Sequence, residues 1–122
     1  MKLIIAGSRT LEPNVGLIEM LIRHFGIWPE EVVSGTAAGM DQAGERWACG
    51  RVKVNIRRFP ADWSKGRGAG FVRNAEMAEY ADALLLIWDG ESKGSAHMKA
   101  EMERRKKDVY EVILRSHTWG EV

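Results

Sequence analysis

One stretch constrains the fold of this chain more than any other: a run of apolar residues that leads directly into a polar loop with two glycines. The run extends from Ala83 to Trp88, and the loop occupies residues 89–95. A parallel strand at the centre of a sheet is covered by helices on both faces, so it is apolar throughout and does not alternate. The sequence therefore predicts a central parallel strand followed by a loop and a helix.

Four further segments predict strands, and predicted helices alternate with all five. The other strands are expected at residues 3–6, 32–33, 52–59 and 109–114, with helices opening near Pro13 and Asn14, Met40, Ala69 and Ala96. Such alternation implies a parallel sheet with right-handed crossovers. We predict one α/β domain over residues 1–122: a Rossmann-like three-layer fold whose five-stranded parallel sheet has the order 3-2-1-4-5. The alternating segment 52–59 is expected at a sheet edge.

The strand order predicts where a ligand binds. In open parallel sheets the site lies outside the carboxyl ends of the strands where the winding reverses, here between strands one and four. The loops after strands one, two and four are rich in glycine and hydroxyl groups and carry cations, which favours phosphate or phosphoribose recognition. The predicted ligand-binding residues in these loops are Gly7, Ser8, Arg9, Gly35, Thr36, Gly39, Asp41, Asp89, Gly90, Ser92, Lys93, Gly94 and Ser95.

The same loops argue against two common nucleotide chemistries. No G-x-x-x-x-G-K-[ST] loop occurs, and residues 35–39 lack the full dinucleotide spacing, so neither a nucleoside-triphosphatase nor a hydride-transfer enzyme is expected. His97 has no second His or Cys at ligand spacing, so we expect no metal site and no cofactor. Asp41 has two open interpretations: it stabilises a helix N-terminus, or it accepts a ribose hydroxyl.

Charge and cysteine content bear on location and partners. Eighteen basic and 17 acidic residues give a net charge of +1, so no global field attracts nucleic acid or a membrane. Lys65, Arg67 and the cluster 104–107 keep single-stranded nucleic acid as a remote alternative, although cations at a helix end also suit its dipole. The start of the chain lacks signal-peptide features and Cys49 is the single cysteine, so we expect a cytoplasmic protein with Cys49 packed inside.

Four segments carry a resemblance to a known family. Residues 5–9, 34–41, 73–77 and 88–96 resemble the SLOG superfamily of Rossmann-like proteins, specifically its YspA- and YpsA-related branch. That superfamily includes phosphoribohydrolases, a DNA-processing protein that binds single strands, and proposed sensors of nucleotide-derived ligands. The resemblance implies a module that binds or senses a nucleotide or nucleotide-derived ligand, and it adds Arg73 and Asn74 to the predicted binding residues.

The resemblance leaves catalysis open. The hydrolase branch has an R-K-x-x-M segment, which Arg73 and Met77 fit, and a P-G-G-x-G-T-x-x-E segment whose glutamate falls here on Met98. A methionine supplies no carboxylate for N-glycoside cleavage. We therefore favour a binding module, with hydrolysis as the alternative and Arg73 as the candidate catalytic residue.

Two points about these side chains stay open. Asp41, Asp89 or Glu91 could supply the carboxylate that Met98 lacks, from another loop. Arg73 could instead pair with Glu76 or Glu79 along its helix.

The tryptophans suggest self-association. Trp88 is expected to pack in the core, whereas Trp63 could stack on a base or pack. Trp47, Trp63 or Trp119 could lie at an interface, because aromatic residues are enriched at the centres of interfaces. We expect a homodimer or larger oligomer.

Overall fold

The computed structural model describes residues 1–11 and 14–114. Strands and helices alternate along this part of the chain, as predicted, and one single-turn 3-10 helix at Trp63–Lys65 precedes the third α-helix. The elements are β1 (Lys2–Gly7), α1 (Val15–Phe25), β2 (Glu31–Ser34), α2 (Met40–Cys49), β3 (Asn55–Arg58), α3 (Ala69–Tyr80), β4 (Ala83–Trp88), α4 (Lys93–Arg104) and β5 (Asp108–Ile113).

The five strands form one sheet, and every pair of neighbours is parallel. The order is β3-β2-β1-β4-β5, which confirms the predicted fold and topology. Winding reverses between β1 and β4, whose register runs from Leu3 opposite Ala83 to Gly7 opposite Ile87. The carboxyl ends of the two central strands are therefore side by side.

Alternate residues of the central strands fill two cores, one on each face of the sheet. Leu3 and Ile5 pack with α1 and α2, whereas Ile4 and Ala6 pack with α3 and α4. Every residue of β4 is buried, as expected for a central parallel strand. Burying one large aliphatic side chain contributes about 1.5–3 kcal/mol. The two cores give the molecule its three layers.

The ends of the first two helices follow their sequence signals. The Asn14 side chain accepts a hydrogen bond from the Leu17 N–H at 3.0 Å, and Gly26 ends α1 in the left-handed conformation with φ of 67°. Gly50 follows the end of α2. Pro13, predicted at the start of α1, lies outside the described residues.

Two predictions about the middle of the chain were wrong. β3 is confined to Asn55–Arg58, and Val52 is fully exposed in a turn before it. The alternation of apolar and polar residues over 52–59 is therefore longer than the strand itself, which includes only the residues that pair with β2. Cys49 is exposed and not packed inside, because the last turn of α2 buries Trp47 and Ala48 and turns Cys49 to solvent.

The tryptophans divide between core and surface. Trp88 is buried, as predicted, and its indole N–H donates to Glu111 at 2.8 Å. Trp47 is only 2% exposed, so the prediction that it could face a partner was wrong. Trp28 and Trp63 are 51% and 57% exposed. Trp119 lies outside the described residues.

The basic cluster at residues 104–107 is solvated only in part: Arg104 and Lys106 are exposed, whereas Arg105 and Lys107 are half-buried. Arg104 and Arg105 form ion pairs with Glu101, and Arg105 also pairs with Glu79 of α3. The Lys107 ammonium donates to three carbonyl groups at the end of α3, those of Ala78, Glu79 and Ala81. Arg105 and Lys107 therefore join the end of α4 to the end of α3. None of the helices in the described residues combines the length and apolarity needed to cross a bilayer.

Candidate functional site

A cavity of about 320 Å³ lies outside the carboxyl ends of β1 and β4, where the winding reverses. Its volume is within the range of small-molecule sites. It is lined by Ala6, Gly7, Ser8, Arg9, Thr10, Ala37, Asp41, Arg73, Asn74, Met77, Asp89, Ser92, Gly94, Ser95 and Met98. The loops after β1, β2 and β4 thus meet α3 and α4 at one place.

The floor of this first cavity is fixed by contacts between the loops after β1 and β4. The buried Ser8 hydroxyl accepts a hydrogen bond from the Asp89 N–H at 3.0 Å. The Asp89 carboxylate turns back and accepts the N–H groups of Glu91 at 2.8 Å and Ser92 at 3.0 Å. These backbone hydrogen bonds lower the pKa of Asp89. Asp89 therefore shapes the loop and holds it against β1.

The N-terminus of α4 faces the first cavity with donors that the helix itself leaves free. The first N–H groups of an α-helix have no intrahelical acceptor, and here Gly94 and Ser95 line the cavity. Ser92 also lines it, although the hydroxyl oxygen of Ser92 is itself buried, with no hydrogen-bond partner within the described chain. The free N–H groups at the N-terminus of α4 favour an anion or hydroxyl group of a ligand.

A carboxyl group lies on the opposite wall, at the start of α2. Asp41 is 6% exposed and accepts the Ala37 N–H at 3.2 Å. Burial raises the pKa of Asp41 from 3.8 to about 6, although the hydrogen bond from Ala37 and the charge of Arg73 both oppose the rise. Near neutral pH this carboxyl group therefore holds a proton part of the time.

Arg73 projects from α3 between the two walls. Its Nη1 donates to the carbonyl groups of Gly35 and, at 3.4 Å, Phe59, and its Nε donates to the Asn74 side chain at 3.0 Å. Burial lowers the pKa of Arg73, but an arginine still keeps its charge. Arg73 thus faces the cavity and does not pair with Glu76 or Glu79, the alternative that the sequence left open.

Asn74 connects Arg73 to the surface of α4. Its amide nitrogen donates to the Gly94 carbonyl at 3.3 Å and contacts His97 Nδ1 at 3.3 Å, while His97 Nε2 lies 3.3 Å from Glu101. Within the described chain, no cluster of His, Cys, Asp or Glu side chains could hold a metal ion.

A second cavity, of about 450 Å³, adjoins the first and shares Arg9, Ala37 and Arg73 with it. Its other lining residues are Gly35, Thr36, Ala38, Pro60, Ala61 and Trp63. Thr36 has a φ of 65°, a left-handed conformation that a β-branched residue seldom adopts. Strained backbone of this kind is concentrated at ligand sites.

The structure brings most of the predicted binding residues to these two cavities. The first cavity holds Gly7, Ser8, Arg9, Asp41, Arg73, Asn74, Asp89, Ser92, Gly94 and Ser95, and the second adds Gly35 and Thr36. Gly39, Gly90 and Lys93 line neither. Gly39 packs against the backbone of Ser8, where a side chain would overlap the Ser8 carbonyl oxygen. Lys93 is the first residue of α4, and its side chain is exposed to solvent.

Several lining residues were absent from the predicted set. Met77 and Met98 form apolar parts of the first cavity, and Thr10 lies at its rim. Met77 could have been found, because it lies four residues after Arg73 and so on the same face of α3. Thr10 follows Arg9 directly in a loop already assigned to the site.

A phage protein is similar to this chain over most of its length. The Gene 61 protein of Mycobacterium phage D29 is 32% identical over 111 residues, which cover 84% of this chain and 89% of the phage protein. The chain belongs to the family of that phage protein. No protein-family model and no solved structure matches it.

Proposed function

We propose that this protein binds a nucleotide or nucleotide-derived ligand, whose phosphate group occupies the first cavity. The observation that carries the proposal is that Arg73 and the N-terminus of α4, with its free N–H groups, line the same cavity. An arginine and oriented backbone N–H groups form a typical phosphate site. We expect this module to act in the cytoplasm.

The resemblance to the SLOG superfamily supports the nucleotide class of ligand. Arg73, Asn74 and Met77 belong to one of its segments, and all three line the first cavity. The segment at residues 88–96 contributes Asp89, and with it the loop that presents α4. Membership of that superfamily is part of the proposal.

A thermal-shift panel tests the proposal. Nucleoside monophosphates and diphosphates, ADP-ribose and cyclic nucleotides are added at millimolar concentration, and at least one should raise the melting temperature. Arg73→Gln should abolish the rise. Arg104→Gln is the matched control, because Arg104 is an exposed arginine at the far end of α4. The absence of stabilisation by every compound would reject a nucleotide ligand.

A second candidate function is hydrolysis of an N-glycoside, and the position of Asp41 favours it. Of the three carboxylates that could replace the glutamate missing at Met98, Asp89 is held by backbone N–H groups and Glu91 is exposed outside the cavity. Asp41 lines the first cavity beside Arg73 with its pKa raised to about 6. A carboxyl group with such a pKa is suited to transfer protons near neutral pH.

Product analysis tests this candidate. The protein is incubated with nucleoside monophosphates, and free base is measured by mass spectrometry. Release should be lost in Asp41→Asn and Arg73→Ala and retained in Arg104→Ala. Release that persists in Asp41→Asn would reject Asp41 as the acid. Gain of hydrolysis in Met98→Glu alone would place the catalytic carboxylate at that position instead.

We propose further that the protein forms a homodimer or larger oligomer through the outer face of α3. Val72 is 60% exposed there, in an open groove that is mostly apolar and is also lined by Ala75, Glu76, Glu79 and Tyr80. A patch of this kind is typical of an interface. Light scattering after size exclusion should give a multiple of 13.7 kDa for the natural chain and about 13.7 kDa for Val72→Glu. A monomer mass for both would reject the proposal.

A further inference from the structure

We propose that the second cavity binds the heterocyclic base of the ligand, and that the ring of Trp63 is the surface on which the base stacks. The inference rests on the proposed function, since it assumes that a phosphate group occupies the first cavity. It narrows the ligand class to nucleotides that retain their base.

The position of Trp63 is set from both sides. The Asp62 carboxylate accepts the Ser64 N–H at 3.2 Å and fixes the turn that carries the indole. On the other side Gly70 lies in the first turn of α3, where an added Cβ atom would be 3.2 Å from Trp63 Cη2 and 3.8 Å from Arg73 Nη2. The missing side chain lets the indole lie against the helix, next to Arg73.

Although it is held in this way, Trp63 remains 57% exposed at the edge of the second cavity. Exposed indole surface costs free energy that a stacked base would recover, because base stacking on an aromatic side chain contributes about 1–3 kcal/mol. Trp28 is exposed to a similar extent, but the guanidinium groups of Arg23 and Arg51 lie 5.7 and 6.0 Å from its ring centroid. Trp28 precedes β2, at the opposite end of the sheet from the cavities.

The lining of the two cavities gives the ligand one orientation. In the second cavity, small apolar side chains of Ala37, Ala38, Pro60 and Ala61 surround Trp63, which suits a flat heterocycle. The charged groups of this cavity, Arg9 and Arg73, are shared with the first cavity. A phosphate therefore binds where the cations and the α4 N-terminus meet, and the base points away from them toward Trp63.

Calorimetric titration with two kinds of probe tests this assignment. The four nucleoside 5′-monophosphates carry base and phosphate, and ribose 5-phosphate carries the phosphate alone. The natural chain should bind at least one monophosphate more tightly than ribose 5-phosphate. Trp63→Ala should weaken binding of that monophosphate by about 5- to 150-fold. Its affinity for ribose 5-phosphate should stay within about twofold, since that probe makes no stacking contact.

Two further variants separate stacking from folding. Trp63→Phe keeps an aromatic face and should retain most of the affinity, and Trp28→Ala should bind both probes like the natural chain. Circular dichroism confirms that each variant is folded. Binding of the monophosphate should also quench tryptophan fluorescence in the natural chain, and Trp63→Phe should remove most of that quenching.

The outcomes of these titrations distinguish failure of the base site from failure of the proposed function on which it rests. Equal affinity of the natural chain for ribose 5-phosphate and for every monophosphate would overturn the base site while leaving phosphate binding intact. Unchanged monophosphate affinity in Trp63→Ala would also overturn it. If the natural chain binds neither probe, the base site is overturned, and the proposed function is then decided by the remaining compounds of the thermal-shift panel.

Discussion

Gly7, the last residue of β1, lies directly against the carbonyl oxygen of Ile87 in β4, and a side chain at Gly7 would overlap that oxygen. The close approach lets the Ser8 N–H donate to the same carbonyl at 3.2 Å. Gly7 thereby places the loop after β1 next to the loop after β4, where both line the first cavity.

Gly7→Ala should destabilise the protein by about 3 kcal/mol or more, because the new methyl group meets backbone that is fixed by both central strands. Urea denaturation measures the change. Gly68→Ala is the matched control: no atom lies within 4 Å of its added Cβ, so its stability should change by less than about 0.5 kcal/mol. Similar stability of the two variants would show that the strands can separate enough to accept a methyl group.

The buried Asp41 carboxyl predicts a pH dependence of stability. Its pKa rises from 3.8 to about 6 on folding, mainly through burial. Between these values the folded state binds more protons than the unfolded state, so Asp41 lowers the free energy of unfolding as the pH rises. The full effect is about 3 kcal/mol, reached above pH 6, and it is absent below about pH 4.

Asp41→Asn removes this titration. The free energy of unfolding of the variant minus that of the natural chain should increase by about 2–3 kcal/mol from pH 4 to pH 7, as measured by urea denaturation across that range. Taking the difference cancels carboxylates such as Asp89 and Glu101, whose lowered pKa values act in the opposite direction. Glu103→Gln controls for the loss of an exposed negative charge. A difference that stays constant with pH would contradict the prediction.

Lys107 should stabilise the end of α3. Its ammonium donates to the carbonyl groups of Ala78, Glu79 and Ala81 at 2.7, 2.9 and 2.7 Å. Lys107→Met keeps the aliphatic stem and removes these charged donors, so it should cost about 1–3 kcal/mol. The neighbouring exposed residue provides the control, since Lys106→Met should change stability by less than about 0.5 kcal/mol. Equal effects of the two substitutions on the free energy of unfolding, measured by urea denaturation, would show that Lys107 does not stabilise the end of α3.

Thr36 should be strained. A β-branched residue at φ of 65° pays about 1 kcal/mol or more, which glycine avoids. Thr36→Gly should therefore be neutral or stabilising by about 1 kcal/mol in thermal unfolding. Thr10→Gly, in the loop after β1, should lower the stability of the protein. Glycine increases the conformational entropy of the unfolded chain, and at position 10 it relieves no backbone strain in the folded state. The strain would be disproved if both variants lost the same stability.

The sequence predicted the fold and the place of the cavity because both depend on patterns within single segments. The apolar run at β4 and the alternation of elements determine the topology, and the topology determines where ligands bind. Trp63 was left between two interpretations, since its exposure depends on the small residue at Gly70, beyond its own loop.

Other features depend on contacts that no single segment reveals. The Arg73 guanidinium donates to the carbonyl group of Gly35, 38 positions earlier in the chain, and not to a glutamate on its own helix. Asp89 lines the first cavity, but its carboxylate also shapes its own loop, because it accepts two N–H groups within three residues. Lys93 is the first residue of α4, and its side chain is exposed. The sequence alone does not show which face of α4 points toward the cavity, so this exposure could not be predicted.

The central position of β1 has a consequence for synthesis on the ribosome. One edge of β1 pairs with β2, whereas its other edge pairs with β4. Leu3 can therefore pair along that second edge only after Ala83 has been synthesised. Until β4 has been synthesised, the apolar residues of β1 from Leu3 to Ala6 therefore have no strand to pair with along that edge. Such an edge invites pairing with other chains. Chaperone binding to ribosome-bound chains should consequently be strongest before residue 88 emerges from the exit tunnel, and should fall once β4 closes that edge.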